Sequence, residues 1–127
     1  MAEWRTPIRC YVSPAGNNKI YDWYMNLAPA EKTFVDEFLK NMRKSRNWSL
    51  PDYRPRLSGH GNIGELRWTM NKTQHRLVGF FADGAWYALV GCTHKQRVYS
   101  PPEALETAKK YKKQIERKEV RTVEYDL

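Results

Sequence analysis

The sequence predicts an α+β fold in which a small, mainly antiparallel sheet is backed by helices. Three observations predict it. Three β-type runs follow one another between residues 63 and 93, with a tight-turn signal between the last two. Two helical stretches precede them and one follows. The chain has 127 residues, which suffices for one domain and falls short of two. Residues 1–127 are therefore read as a single domain.

The first element is a strand over 7–13, PIRCYVS, with β-branched and aromatic residues and Pro7 at its start. PAGNN then turns the chain into a helix near 17–27, where Ile20, Tyr24 and Leu27 recur at helical spacing beside Trp23. Pro29 opens a second helix at its first turn, a favoured place for proline. Its apolar stripe is Phe34, Val35, Phe38, Leu39 and Met42, and Glu31, Asp36, Glu37 and Lys40 fill the other face. So short a link between two helices predicts an antiparallel helical hairpin. Residues 45–62, with Pro51, Pro55, Gly59 and Gly61, read as a long loop pinned by Trp48, Leu50 and Leu57.

The meander follows. IGELRWTM at 63–70 alternates, Asn71 to Thr73 turn, and QHRLVGFFA at 74–82 returns. Asp83-Gly84 is the strongest hairpin signal, because both central positions of a type I′ turn need positive φ. AWYALVGCT at 85–93 is nearly all apolar, as a central strand covered on both faces requires. Ser100-Pro101-Pro102-Glu103 has the composition of a capping box with proline at the first helical position. The helix it opens has an apolar stripe of Leu105, Ala108, Tyr111 and Ile115, with Lys109, Lys110, Lys112, Lys113 and Arg117 opposite. Residues 120–127 place Val123, Tyr125 and Leu127 on one side, and read as an extra strand on the sheet edge or a flexible tail.

Charge narrows the function classes. The net charge is +8, and the excess is local. Residues 1–42 cancel, 43–76 carry +6, and 93–121 carry +5. Two basic segments that meet in the fold make a surface for polyanions, above all nucleic acid. Arg54, Arg56, Lys72, Arg97, Lys109 and Lys113 are its candidate RNA contacts. The N-terminus lacks an apolar run of signal-peptide length, and no window is apolar enough to span a membrane, so a cytoplasmic protein is expected. Cys10 and Cys92 lie in apolar stretches without redox or zinc spacing and read as reduced core residues. His60, His75 and His94 lack ligand partners at a recognised spacing, and no phosphate loop or nucleophile elbow is present, so neither metal nor cofactor is expected.

The chemistry-bearing set is basic. Glu65 and Arg67 share one strand face, as do Gln74, Arg76 and Val78 on the next strand. Antiparallel pairing then brings Arg67 and Arg76 together, and like charges there repel unless an anion arrives. Alternatively both reach solvent, or one pairs with Glu65. An RNA phosphate suits such a place. RNA is cleaved by attack of its own 2′-OH on phosphorus, which asks the protein for cations against the developing charge and for proton transfer. Glu65, His94, Lys95 and Tyr99 are the candidates for proton transfer, and Tyr99 is also a stacking surface for a base. These roles stay open.

The run IGELRW, QHRLVGFF, WYALVGCTHKQRVYSPPEALETAKKYKKQIE resembles the RelE/ParE/HigB toxin superfamily, nearest its phage-derived HigB-like branch. The resemblance rests on Glu-Leu-Arg, His-Arg-Leu, the Lys-rich exit after 93 and the proline-opened helix, and covers about residues 7–117. It implies a RelE-like fold and a type II toxin: a metal-independent, ribosome-dependent mRNA endoribonuclease, or mRNA interferase. It implies phosphate binding at Arg67 and Arg76, a transition-state or acid group at Lys95, and substrate orientation by Tyr99. It further implies the ribosomal A site with its mRNA as target and a helix-turn-helix antitoxin as partner in a hetero-oligomer. Glu65 departs from the lysine of the RelE branch. Two further expectations are a ParE-like inhibitor of DNA gyrase, and a non-catalytic phage-encoded RNA-binding or interaction module.

Overall fold

In the computed structural model, which describes residues 5–125, ten elements follow in order. They are β1 (Ile8–Tyr11), α1 (Lys19–Met25), α2 (Pro29–Lys44), β2 (Tyr53–Arg54), β3 (Ile63–Met70), β4 (Thr73–Ala82), β5 (Ala85–Lys95), β6 (Val98–Ser100), α3 (Ala104–Glu116) and β7 (Thr122–Glu124). The strands form one open sheet, ordered β2-β3-β4-β5-β1-β7. Its pairings are antiparallel except β1 with β5. β5 is long enough to take two partners on one edge: β1 opposite Trp86–Ala88 and β6 opposite Thr93–Lys95.

The α+β class and the mostly antiparallel sheet agree with the sequence reading. The four expected strands become seven among the described residues. β2 lies inside the expected loop, and β6 replaces the expected exit from β5. Strands of two and three residues hold too few positions to show a period-2 pattern. β7 extends the sheet beyond β1, with Tyr125 buried and Val123 against the same core; Leu127 lies outside the described residues.

Local chemistry accounts for most boundaries. The Asn18 side chain caps α1 by accepting from the N–H groups of Ile20 and Tyr21 at 3.1 and 2.9 Å. Before α2, the Ala28 N–H donates to Glu31 Oε1 at 2.8 Å, half of a capping box. The Tyr24 hydroxyl donates to Asp36 across the hairpin at 2.9 Å. The stripe on α2 buries Val35, Leu39 and Met42 but leaves Phe34 exposed. Three two-residue hairpins, Asn71-Lys72, Asp83-Gly84 and Gln96-Arg97, have positive φ at both positions, so their geometry is that of type I′ turns. The first is one residue shorter than expected, because Thr73 already pairs with Met70.

Two expectations are corrected. Ser100 does not cap α3: its backbone pairs with Thr93 in the sheet, so the helix starts at Ala104 behind Glu103, which makes no side-chain cap bond. Trp48 and Leu57 pin the loop, Trp48 by donating its indole N–H to the Met42 carbonyl at 2.9 Å, whereas Leu50 is 60% exposed.

The sheet separates two cores. On one face α1 and α2 pack with Ile8, Ile20, Leu39, Leu66 and Trp86. On the other, α3 packs through Ala104 and Ala108 against Val78, Phe80 and Leu89. Each fully buried Leu or Ile among these contributes about 1.5–3 kcal/mol. Cys10 and Cys92 are free thiols, one in each core, and burial raises both to about 12. No helix among the described residues is long and apolar enough to cross a membrane.

Candidate functional site: a buried carboxylate between two arginines

The register of β3 on β4 places Arg67 directly opposite Arg76. Alternation sends both to the α3 face, with Glu65 one pleat away on β3. Glu65 is the anion that this pair requires. Its Oε2 lies 3.4 Å from Arg67 Nε and 3.3 Å from Arg76 Nε. Its Oε1 accepts the Tyr99 hydroxyl at 2.6 Å. Both arginines therefore engage the one carboxylate.

Glu65 and Arg76 are buried; Arg67 is partly open, with 28% of its side chain exposed. Arg76 donates from Nη1 to the His75 carbonyl at 2.9 Å and from Nη2 to Gln74 Oε1 at 2.8 Å, while its Nε makes the ion-pair contact with Glu65 without a hydrogen bond. Burial presses the Arg76 pKa down and Glu65 pulls it back, so it stays a cation. The Nη groups of Arg67 make no hydrogen bond among the described residues, and are the free donors of the cluster. Two cations on one anion leave a positive surplus on this side.

β6 brings Tyr99 opposite His94, and their rings lie 4.7 Å apart. Burial, then hydrogen bonding to Glu65, raises the Tyr99 pKa, so the phenol stays protonated at neutral pH. Burial, then the charge of Arg76, lowers His94, which is a neutral imidazole there. Its Nδ1 is buried without a hydrogen-bond partner. His94 is thus the stronger proton acceptor of the two.

Lys95 falls outside this cluster. Alternation along β5 sends it to the opposite face from His94. Both nonetheless line a groove of about 390 Å³ across the sheet's end, with Lys72, Gln74 and Gln96. Arg97 is exposed in the next turn. Arg54 is the register partner of Glu65 on β2 and exposed, and Arg56 is exposed in the loop beyond. Lys109 and Lys113 lie apart, lining a separate depression on α3 with Glu106, Lys110 and Arg117.

An open depression of about 680 Å³ wraps the free edge of β3. Arg67, Gln74 and Arg76 supply its polar side, and Phe34, Phe38 and Trp68 its apolar wall. It meets the 390 Å³ groove at Gln74, which lines both. Sequence reasoning missed this wall and Gln74. Phe34 and Phe38 carry an ordinary core periodicity, so no local signal marks them; Gln74 shares strand parity with Arg76, which was a usable signal. Comparison with models of known families, with curated proteins and with solved structures finds no match for this chain.

Proposed function

We propose that this chain is a metal-independent endoribonuclease of the RelE/HigB type: an mRNA interferase acting at the ribosomal A site and silenced by an antitoxin. One observation carries the reading: a partly exposed guanidinium with free Nη donors, Arg67, stands over a buried carboxylate where a depression with an aromatic wall meets a lysine-lined groove. The aromatic wall suits bases, and the cations suit phosphates. The resemblance of these motifs to the superfamily's supports the reaction class.

In this reading the 2′-oxygen attacks phosphorus and the 5′-oxygen leaves. His94 takes the 2′-OH proton, and the leaving oxygen is protonated from the resulting imidazolium or from water. Arg67 meets the charge on the phosphoryl oxygens through its free donors. Glu65 and Tyr99 hold the arginines in place and do not touch the substrate. The departure of Lys95 to the other face removes the acid that the resemblance assigns, and favours one second reading, an RNA-binding module without cleavage.

The test is induction in bacteria followed by primer extension on mRNA. Discrete cuts at codon positions are expected, falling about 10²–10³-fold in a folded Arg67→Ala variant, the size of losing one transition-state donor. Intact message with salt-sensitive RNA binding would leave the non-catalytic module. Intact message with DNA-damage signalling would point to gyrase inhibition instead.

A further inference from the structure

We propose that the depression at the edge of β3 selects guanine in single-stranded RNA, with the Asp52 carboxylate reading the base and the Phe34 ring stacking on it. This rests on the RNA reading above and names the base that the same site accepts. Asp52 has no part in the cleavage step itself.

Asp52 reaches this edge from the loop before β2 and lines the depression with Phe34, Arg67 and Arg76. Its carbonyl accepts the Arg67 N–H at 2.8 Å, which fastens the loop to the strand and keeps Asp52 beside Arg67. The residue is exposed, and its carboxylate makes no hydrogen bond or ion pair among the described residues. In a chain of net charge +8, it is the one acidic side chain lining this depression among the described residues. Phe34 is 38% exposed. Its ring is backed by Phe38 at 5.9 Å and Trp68 at 6.4 Å, with interplanar angles of 17° and 29°. The platform is therefore held in place before a base arrives.

Arginines alone attract any RNA, because phosphate contacts carry no base information. A free acid beside them repels phosphate, and what it offers a nucleotide is hydrogen-bond acceptors for the base. A carboxylate only accepts, through two oxygens side by side. Guanine is the RNA base whose Watson–Crick edge carries two adjacent donors, N1–H and the 2-amino group. Adenine and cytosine set a ring-nitrogen lone pair next to their amino group, and uracil flanks its N3–H with carbonyls. Each of these gives the carboxylate at most one hydrogen bond and turns a lone pair on it. A base stacks through its face, so stacking on Phe34 leaves this edge free to be read.

The probes are short 2′-O-methyl RNAs, UUXUU, with guanine, inosine, adenine or cytosine at X; they lack the attacking hydroxyl and stay whole. Each carries a terminal dye and is titrated with the full chain by fluorescence anisotropy. The guanine probe should bind about tenfold or more tighter than adenine or cytosine, the discrimination of one two-donor contact. Inosine keeps N1–H and lacks the 2-amino group, so it should fall between. Asp52→Ala keeps the carbonyl that takes the Arg67 N–H. It should erase the guanine advantage, while adenine and cytosine probes bind as before or tighter, because a negative charge has left a phosphate site. Phe34→Ala should weaken all four together, since stacking tolerates any base. Equal affinity for guanine and adenine in the parent, a preference that survives Asp52→Ala, or no binding of any probe would each overturn the site. GMP binding as tightly as UUGUU would overturn RNA as its source. Should the variant not fold, NMR of the parent decides: the Asp52 backbone amide must respond to UUGUU and not to UUAUU. Guanine-selective binding without cuts on primer extension would keep this site and remove the nuclease; cuts with no base preference in binding would do the reverse.

Discussion

Glu65 and Glu31 approach the same stretch of β4 from opposite faces, because Arg76 and His75 are neighbours pointing opposite ways. Around Glu65 two guanidiniums and a phenol converge on one carboxylate, the phenol by a hydrogen bond and the two Nε atoms at 3.3 and 3.4 Å. Around Glu31 there is one such neighbour, the buried His75 Nε2 at 3.3 Å. A buried carboxylate between two cations is an internal counter-ion that holds its neighbours. The other carboxylate takes the Ala28 N–H and faces a neutral ring, so it balances no buried cation. The two regions teach that a carboxylate is read by the charges it must balance, two cations at Glu65 and a neutral ring at Glu31.

The largest expected effect breaks this contrast on the Glu65 side. Glu65→Gln leaves Arg76 buried opposite Arg67 with no anion between them. Stability should fall by about 3–5 kcal/mol, the usual cost of removing one partner of a buried pair. The Glu65→Leu/Arg76→Leu double variant should recover most of it, since apolar replacement of both partners is often neutral or better. Glu31→Gln, on a partly exposed group, should shift stability by no more than about 0.5 kcal/mol. Urea denaturation measures all three. A Glu65→Gln chain as stable as the parent would mean that the cluster does not hold the sheet.

Much of this framework was legible in the residues. Alternation in IGELRWTM and QHRLVGFFA set the faces, and Asp83-Gly84 set the hairpin, so the pairing of Arg67 with Arg76 followed from local pattern. That Glu65 would take both arginines was not legible. It depends on Tyr99 arriving from β6, a strand too short to show a period. The Glu31–His75 contact joins positions 44 residues apart in sequence, and nothing in either neighbourhood marks it. The Ser100 cap misled because the motif is local, while a ladder to Thr93 competes for the same backbone and wins.

The Glu31 side offers the next effect. Gly91→Ala pushes a Cβ into the Trp23 indole at 2.3 Å. Trp23 is half-buried on a short helix and has room to shift, so the cost should be about 1–3 kcal/mol, the range for overpacking. The near-ultraviolet circular dichroism should change with it. An unchanged spectrum would mean that the indole does not lie on the strand.

The smallest effect compares the two histidines by pH. Burial lowers both His75 and His94 from the ordinary 6.5. In the unfolded chain each regains its ordinary value, so on acidification the unfolded state binds the proton first. Stability is therefore full above 6.5 and declines as pH falls through the window between 6.5 and the folded values. The charge of Glu31 pulls His75 partly back up, so Glu31→Gln should make the decline steeper. His75→Gln should flatten it, and His94→Gln should flatten it by its own share. Urea denaturation at about pH 7.5 and about pH 5.5 reads these slopes within the histidine range. A decline that survives removal of both imidazoles would assign it to carboxylates.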